Sequence, residues 1–187
     1  MHVLTNLADR IDRLNTAIGR AVAWLALAIV LLEFALVVAR YVLALGSIWL
    51  SETVIYMHGM LFMLAAAWTL RVGGHVRVDV FYAEASARAQ AIVDLIGSLI
   101  LLLPFALVLV WLSVPYAARS WAILERSQEA SGLPLVFVLK TVIPVFALLM
   151  ALQGVAQAIR AAAVLIPPPP AGEVGRRSRP GGGDAAF

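Results

Sequence analysis

AVAWLALAIVLLEFALVVARYVLAL, residues 21–45, decides the fold. A helix that crosses a hydrocarbon core of about 30 Å needs about 20 mostly apolar residues, and this run exceeds that with only Glu33 and Arg40 charged. The apolar region of a cleaved signal peptide covers about 7–15 residues, so the run reads as an uncleaved span. Three further runs follow: Glu52–Leu70, Ala91–Ala118 and Leu135–Ile166. The expected fold is an all-α membrane protein with four membrane-embedded helices, spans about 21–45, 52–70, 91–118 and 135–166, within a membrane domain 21–166.

Composition agrees with this reading. Of 187 residues, 63% are hydrophobic and 13% charged, and the mean hydropathy is +0.94. A soluble domain is typically about 45–50% apolar and about 25% charged. The chain has no cysteine, which removes disulfides, iron–sulfur clusters, c-type haem attachment and thiol nucleophiles. The net charge is a mild +3, and the basic residues are scattered between the spans. No nucleic-acid partner is expected.

The connecting segments carry the punctuation. In residues 1–20, Leu4, Leu7, Ile11, Leu14 and Ile18 recur at spacings of three and four, the stripe of an amphipathic helix. Two readings stay open for it: an interfacial helix, or an extension of the first span. Gly46 and Ser47 break the first run, and Ser51 before Glu52 reads as an N-cap followed by a first-turn acid. Gly73 and Gly74 stop the second run. Val76, Val78 and Val80 alternate with Arg77 and Asp79, the pattern of a short extended piece. Ser86 reads as the cap of the next helix. Kinks are expected at Pro104 and Pro115, which membrane helices tolerate. The five tryptophans fall mostly near the span ends, as an aromatic belt does. Residues 167–187, with four consecutive prolines and an arginine cluster, read as a disordered tail.

Orientation follows from arginine placement. Arg10, Arg13 and Arg20 precede the first span, and Arg71, Arg77 and Arg88 separate the second from the third. Arg160, Arg176, Arg177 and Arg179 lie at or after the end of the fourth. The other side has Arg119 and Arg126, offset by Glu125 and Glu129. Both termini are therefore expected in the cytoplasm of a bacterium, with the chain multi-pass in the inner membrane and lipid as a partner.

Charges within the spans are the candidate functional residues, because a central charge costs about 2.5–3.5 kcal/mol and faces protein or water. Glu33 reads as the middle of the first span, with Arg40 two turns further along the same face. Arg40, Glu52 and Lys140 fall in one layer, where Arg40 and Glu52 are placed to pair if the hairpin pivots near Gly46. A clamp between helices or subunits is favoured over an ion-coupling role for Glu33. His58 reads as a satisfied polar core residue. A b-type haem needs an axial histidine on each of two facing helices, and His2 and His75 lie outside the spans. No cofactor or metal is expected. No nucleophile elbow, Walker or HExxH pattern is present, so the chain reads as no enzyme.

Three strings carry a family resemblance: ARYVLALGSIWLSE (39–52), TLRVGGHVRVDVFY (69–82) and GLPLVFVLKTVIPVFALLMALQG (132–154). Together they resemble the small membrane subunit of tripartite ATP-independent periplasmic (TRAP) transporters, the DctQ-like small permeases, over about residues 14–165. Gly74, His75, Arg77, Val78 and Asp79 match the family's glycine–His–x–Arg–Val–Asp signature. LLLPFALVLVWLSVPYAARSW (101–121) is most similar to the branch labelled mannitol/chloroaromatic. The resemblance implies a subunit that scaffolds a large permease holding the cation and substrate sites. A periplasmic solute-binding protein would deliver the substrate, an organic anion such as a carboxylate. Two other readings compete. A membrane anchor of a redox enzyme would show paired haem ligands or a quinone site, and a stand-alone small transporter would carry its own ion site.

Overall fold

The computed structural model describes residues 2–76 and 82–166. Among them it contains α1 (His2–Val42), α2 (Ile48–Arg71), α3 (Ala87–Ile96), a π-helical segment (Gly97–Leu102), α4 (Leu103–Ala122) and α5 (Val136–Leu165), with no strand. α3, the π segment and α4 form one continuous rod. Four helices are therefore long and apolar enough to cross a membrane: His2–Val42, Ile48–Arg71, Ala87–Ala122 and Val136–Leu165. The expected extended piece falls largely on residues 77–81, and the tail on 167–187, both outside the described residues.

In α1 the N-terminal stripe and the first span are one continuous helix. Its inward face is only partly the apolar stripe. Ala8, Ile11, Asp12, Asn15 and Gly19 are buried, whereas Leu4, Leu7 and Leu14 are exposed. The physical reason is that Asp12 and Asn15 find partners on α5, while the small Ala8 and Gly19 let backbones approach. A Cβ at Gly19 would lie 2.5 Å from Trp68 Cβ on α2.

Each break has a local cause. α1 ends where Ala44 takes a positive φ of 56° and the Leu45 N–H returns to the Ala39 carbonyl at 2.9 Å. α2 is capped by Ser47, whose Oγ accepts from the Leu50 N–H at 3.3 Å. The expected cap, Ser51, instead donates its hydroxyl to the Ser47 carbonyl. The helix thus starts a turn earlier, and Glu52 is free of any capping role. Gly73, at φ +68°, ends α2 in a Schellman motif: Gly73 N–H bonds Leu70 O and Gly74 N–H bonds Thr69 O. Ser86 caps α3, accepting from Ala89 N–H. The π segment ends two residues before Pro104, which has no N–H to donate and clashes with a regular preceding turn, so the wider turn absorbs it.

α5 is the hub and touches α1, α2, α3 and α4. Its buried residues are largely small: Ala147, Ala151, Gly154, Ala156, Ala158 and Ala161. Lipid tails are as apolar as leucine, so association in a membrane depends on close packing at such residues. A Cβ at Gly154 would lie 3.0 Å from Leu102 Cδ2.

Candidate functional site

Two charge networks fasten this body at its ends. At the end where α1 begins and α5 finishes, Asp12 of α1 is 6% exposed and sits between two arginines. Arg160 of α5 pairs with it and with Asp9 at 2.9 Å, and Arg71 Nε of α2 stands 3.4 Å from Asp12 Oδ2. Asn15 Nδ2 donates to Gln153 Oε1 at 2.7 Å, and Gln153 Nε2 donates to Asp12 Oδ1 at 3.0 Å. Arg71 also donates to Thr16 Oγ1 at 2.8 Å. Three helices are thereby tied through one carboxylate. Beside it opens a cavity of about 790 Å³, bordered by Asp12, Arg71, Tyr82, Asp94, Gln153 and Arg160. Tyr82 OH donates to Asp94 there at 2.9 Å.

At the loop end, the connection between α4 and α5 folds onto Glu52. Its carboxylate accepts from the Ser127 hydroxyl and, at 2.6 Å, from the Leu133 N–H. Gly132 is pressed against the same group, where a Cβ would come 2.8 Å from Glu52 Oε1. The loop leaves α4 through Leu124 at φ +45°, with Glu125 N–H closing on Ser120 O at 3.0 Å. Lys140 Nζ bonds Glu125 Oε2 at 2.5 Å and lies 4.3 Å from the Tyr116 ring centroid. The hydrogen bond from Lys140 holds the Glu125 carboxyl below its ordinary pKa. Trp121 Nε1 donates to Thr141 at 2.8 Å. At about 1.5 Å per residue, Glu52 and Arg71 stand roughly 28 Å apart along α2, close to the thickness of a hydrocarbon core.

The sequence-derived residues distribute unevenly over this frame. Glu52 and Lys140 share the loop-end layer, but each has its own partner, so the Arg40–Glu52 pairing does not form. Glu33 is not at mid-depth. It lines a cavity of about 210 Å³ with Arg40, Tyr41, Ser47 and Ser51, at the turn between α1 and α2. Glu33 and Arg40 are both exposed, and no hydrogen bond or ion pair joins either to another described residue. His58 is exposed as well, on a face with Ile55 and Phe62, and has no hydrogen-bond partner among the described residues. It is not the satisfied core residue expected. In the signature loop, Gly74 closes α2 and the His75 ring shares a 3.3 Å hydrogen bond with the Ala66 carbonyl. Arg77 and Asp79 lie outside the described residues.

Sequence reasoning missed the Asp12–Arg160–Arg71–Gln153 network. Asp9 and Asp12 looked like the wet side of an amphipathic helix, and Arg71 and Arg160 like orientation signals. The available signal was Gln153, an amide inside an apolar run. Among the described residues, no group of three His, Asp or Glu side chains is placed to hold a metal ion.

A family model described as "Tripartite ATP-independent periplasmic transporters, DctQ component" matches residues 29–164. No curated protein and no solved structure matches the chain. The matched stretch covers most of the chain and nearly the whole four-helix body, including both the loop-end layer and the α5 hub. The chain therefore belongs to the DctQ component family of TRAP transporters, a transport component and not an enzyme.

Proposed function

We propose that this chain is the small membrane subunit that scaffolds a large TRAP permease during cation-coupled uptake of an organic anion, a carboxylate in the simplest case. A periplasmic solute-binding protein delivers that anion. The family match over 29–164 carries this reading. The charge placement supports it: in α3–α5 the intramembrane charges are consumed in holding helices and the loop together. The large subunit then supplies the ion and substrate sites, while this chain enlarges the fixed part of the assembly. The loop clamped on Glu52 forms part of the surface that seats the binding protein.

The chain sits in the bacterial inner membrane with both termini in the cytoplasm. The excess of arginine at the terminal end over the loop end supports this orientation. A reporter fused after Ile166 should be active in the cytoplasm, and activity confined to the periplasm would reverse the topology. The functional test is reconstitution in liposomes. Uptake should require this chain, the large permease, the loaded binding protein and a cation gradient. Transport by this chain alone, or full transport without it, would overturn the reading.

A further inference from the structure

The charges in the first half of α1 are sorted by side. Asp12 is buried between Arg71 and Arg160, and Asp9 is held by Arg160. Arg10, Arg13 and Arg20 are exposed, and no hydrogen bond or ion pair joins any of them to another described residue. At about 100° per residue, Arg13, Arg20 and Trp24 fall within about 40° of one another, on the side of the helix away from the buried Ala8, Asn15 and Gly19. Trp24, 72% exposed, stands one turn beyond Arg20, and Leu27 and Leu31 continue the same side as exposed apolar residues. Residues 21–32 carry no charge. α2 fixes the level of this change, because Gly19 packs against Trp68, close to the end of α2 at Arg71. One face of α1 is thus cationic outside the edge of the apolar layer and purely apolar within it, with a tryptophan at the boundary.

We propose that this face binds anionic phospholipid, with the headgroup phosphate held by Arg13 and Arg20 and the acyl chains lying along Trp24, Leu27 and Leu31. Charge complementarity selects the occupant. The face offers positive charge with no unmatched acid, and a guanidinium makes paired, charge-assisted N–H···O bonds to a phosphate. The order of the residues selects a lipid over a free anion, which would leave the apolar stretch below the arginines unused. The heights agree as well. Arg13 and Arg20 are about 10 Å apart along the axis at about 1.5 Å per residue. Helical side chains lean toward the N-terminus, here out of the apolar layer, so Arg20 reaches from the edge of that layer to the level of the headgroups. Arg10, about 5 Å further out, adds to the attraction that a basic cluster beside a span exerts on an anionic leaflet. The Trp24 indole has an apolar body and one N–H, which suits the boundary itself. This inference needs only that the chain spans a membrane and stands apart from the subunit reading.

The test titrates the detergent-purified full chain with phosphatidylglycerol or phosphatidylcholine and counts bound lipid by native mass spectrometry. Phosphatidylglycerol should be retained well above phosphatidylcholine. Arg13→Gln combined with Arg20→Gln should weaken its retention on the order of tenfold or more. The unfolding temperature without lipid should stay unchanged, because neither arginine holds anything within the chain. Arg13→Lys combined with Arg20→Lys should keep most of the binding, since the charge remains. Arg119→Gln combined with Arg126→Gln, two exposed arginines at the loop end, should leave phosphatidylglycerol retention within about twofold of wild type. Should the double glutamine variant fail to fold, Arg20→Gln alone gives the same reading. Equal retention of the two lipids, undiminished retention by the glutamine variants, or an equal loss in the loop-end variant would overturn the proposal. Displacement of the lipid by inorganic phosphate at matched concentration would do the same and leave a free-anion site in its place.

Discussion

The α1–α2 hairpin and the α3–α5 body are built from similar apolar sequence but differ in how far the charges of their apolar runs are met within the chain. Asp94, Lys140 and Arg160, the charges within the apolar runs of α3–α5, are each met by another side chain, and 28% of the apolar window of α5 is buried. The corresponding window of α1 is 0% buried, and Glu33 and Arg40 on it are unmatched. Unpaired polar groups are costly only when buried, so the inward Asp12 and Glu52 must be matched within the chain, whereas the exposed Glu33 and Arg40 need no partner in it. Charges that hold this subunit together thus stand apart from exposed charges that hold nothing within it.

The largest expected effect tests the first class. Asp12→Ala removes the shared acceptor of Arg71, Arg160 and the Gln153 amide, leaving each with its lesser partner, Thr16, Asp9 and Asn15. It should destabilise the purified subunit by roughly 2–3 kcal/mol, less than for a fully buried pair because both arginines keep solvent contact. A thermal unfolding series in detergent measures this, and an unchanged midpoint would break the distinction. Glu52→Gln comes next. The amide keeps one acceptor and places an NH2 group against a donor, so the loop loses about 1–3 kcal/mol of local stability. Amide exchange over 123–135 should quicken, with Leu133 leading, while the terminal-end network stays protected.

The Lys140–Glu125 pair predicts a pH dependence of smaller size. The folded-state pKa of Glu125 is depressed, chiefly by the hydrogen bond from Lys140. Its stabilising contribution is therefore present above the unfolded carboxyl's pKa and lost as pH falls through the depressed folded value. The difference in unfolding temperature between the wild type and Glu125→Gln should favour the wild type at neutral pH and close under acid conditions. A gap that widened toward acid would reverse the assignment. The smallest effect belongs to the second class of charge. Glu33→Gln should leave the isolated subunit within about 0.5 kcal/mol of wild type, because the carboxylate holds nothing in this chain. A large loss of stability in the isolated subunit would move Glu33 into the first class and dissolve the comparison.

The four spans were legible because a long apolar run leaves the backbone few alternatives to a helix in a membrane. Several stops were equally local: Gly73–Gly74 ended α2 by φ and hydrogen-bond geometry, and Ser86 capped α3. Ser51 was a sound cap residue in the wrong place, because Ser47 sat one turn earlier and was read only as a helix breaker. The roles of the charges were not legible. Glu52 and Glu33 look alike in sequence, each a carboxylate beside apolar residues, yet one seats a loop from 75 residues away and the other meets nothing in the chain.

The sequence by itself determined that this is a four-helix membrane chain, where its helices lie and, through its strings of signature residues, its family. Those properties depend on local composition and on the solvent the segments must enter. Only the tertiary structure decided which face of α1 is inward, that Asp12 is the knot of three helices, that Glu52 serves the loop instead of Arg40, and that His58 faces outward. Each depends on which side chains from distant positions reach the same few ångströms, and neither periodicity nor spacing along one helix contains that information.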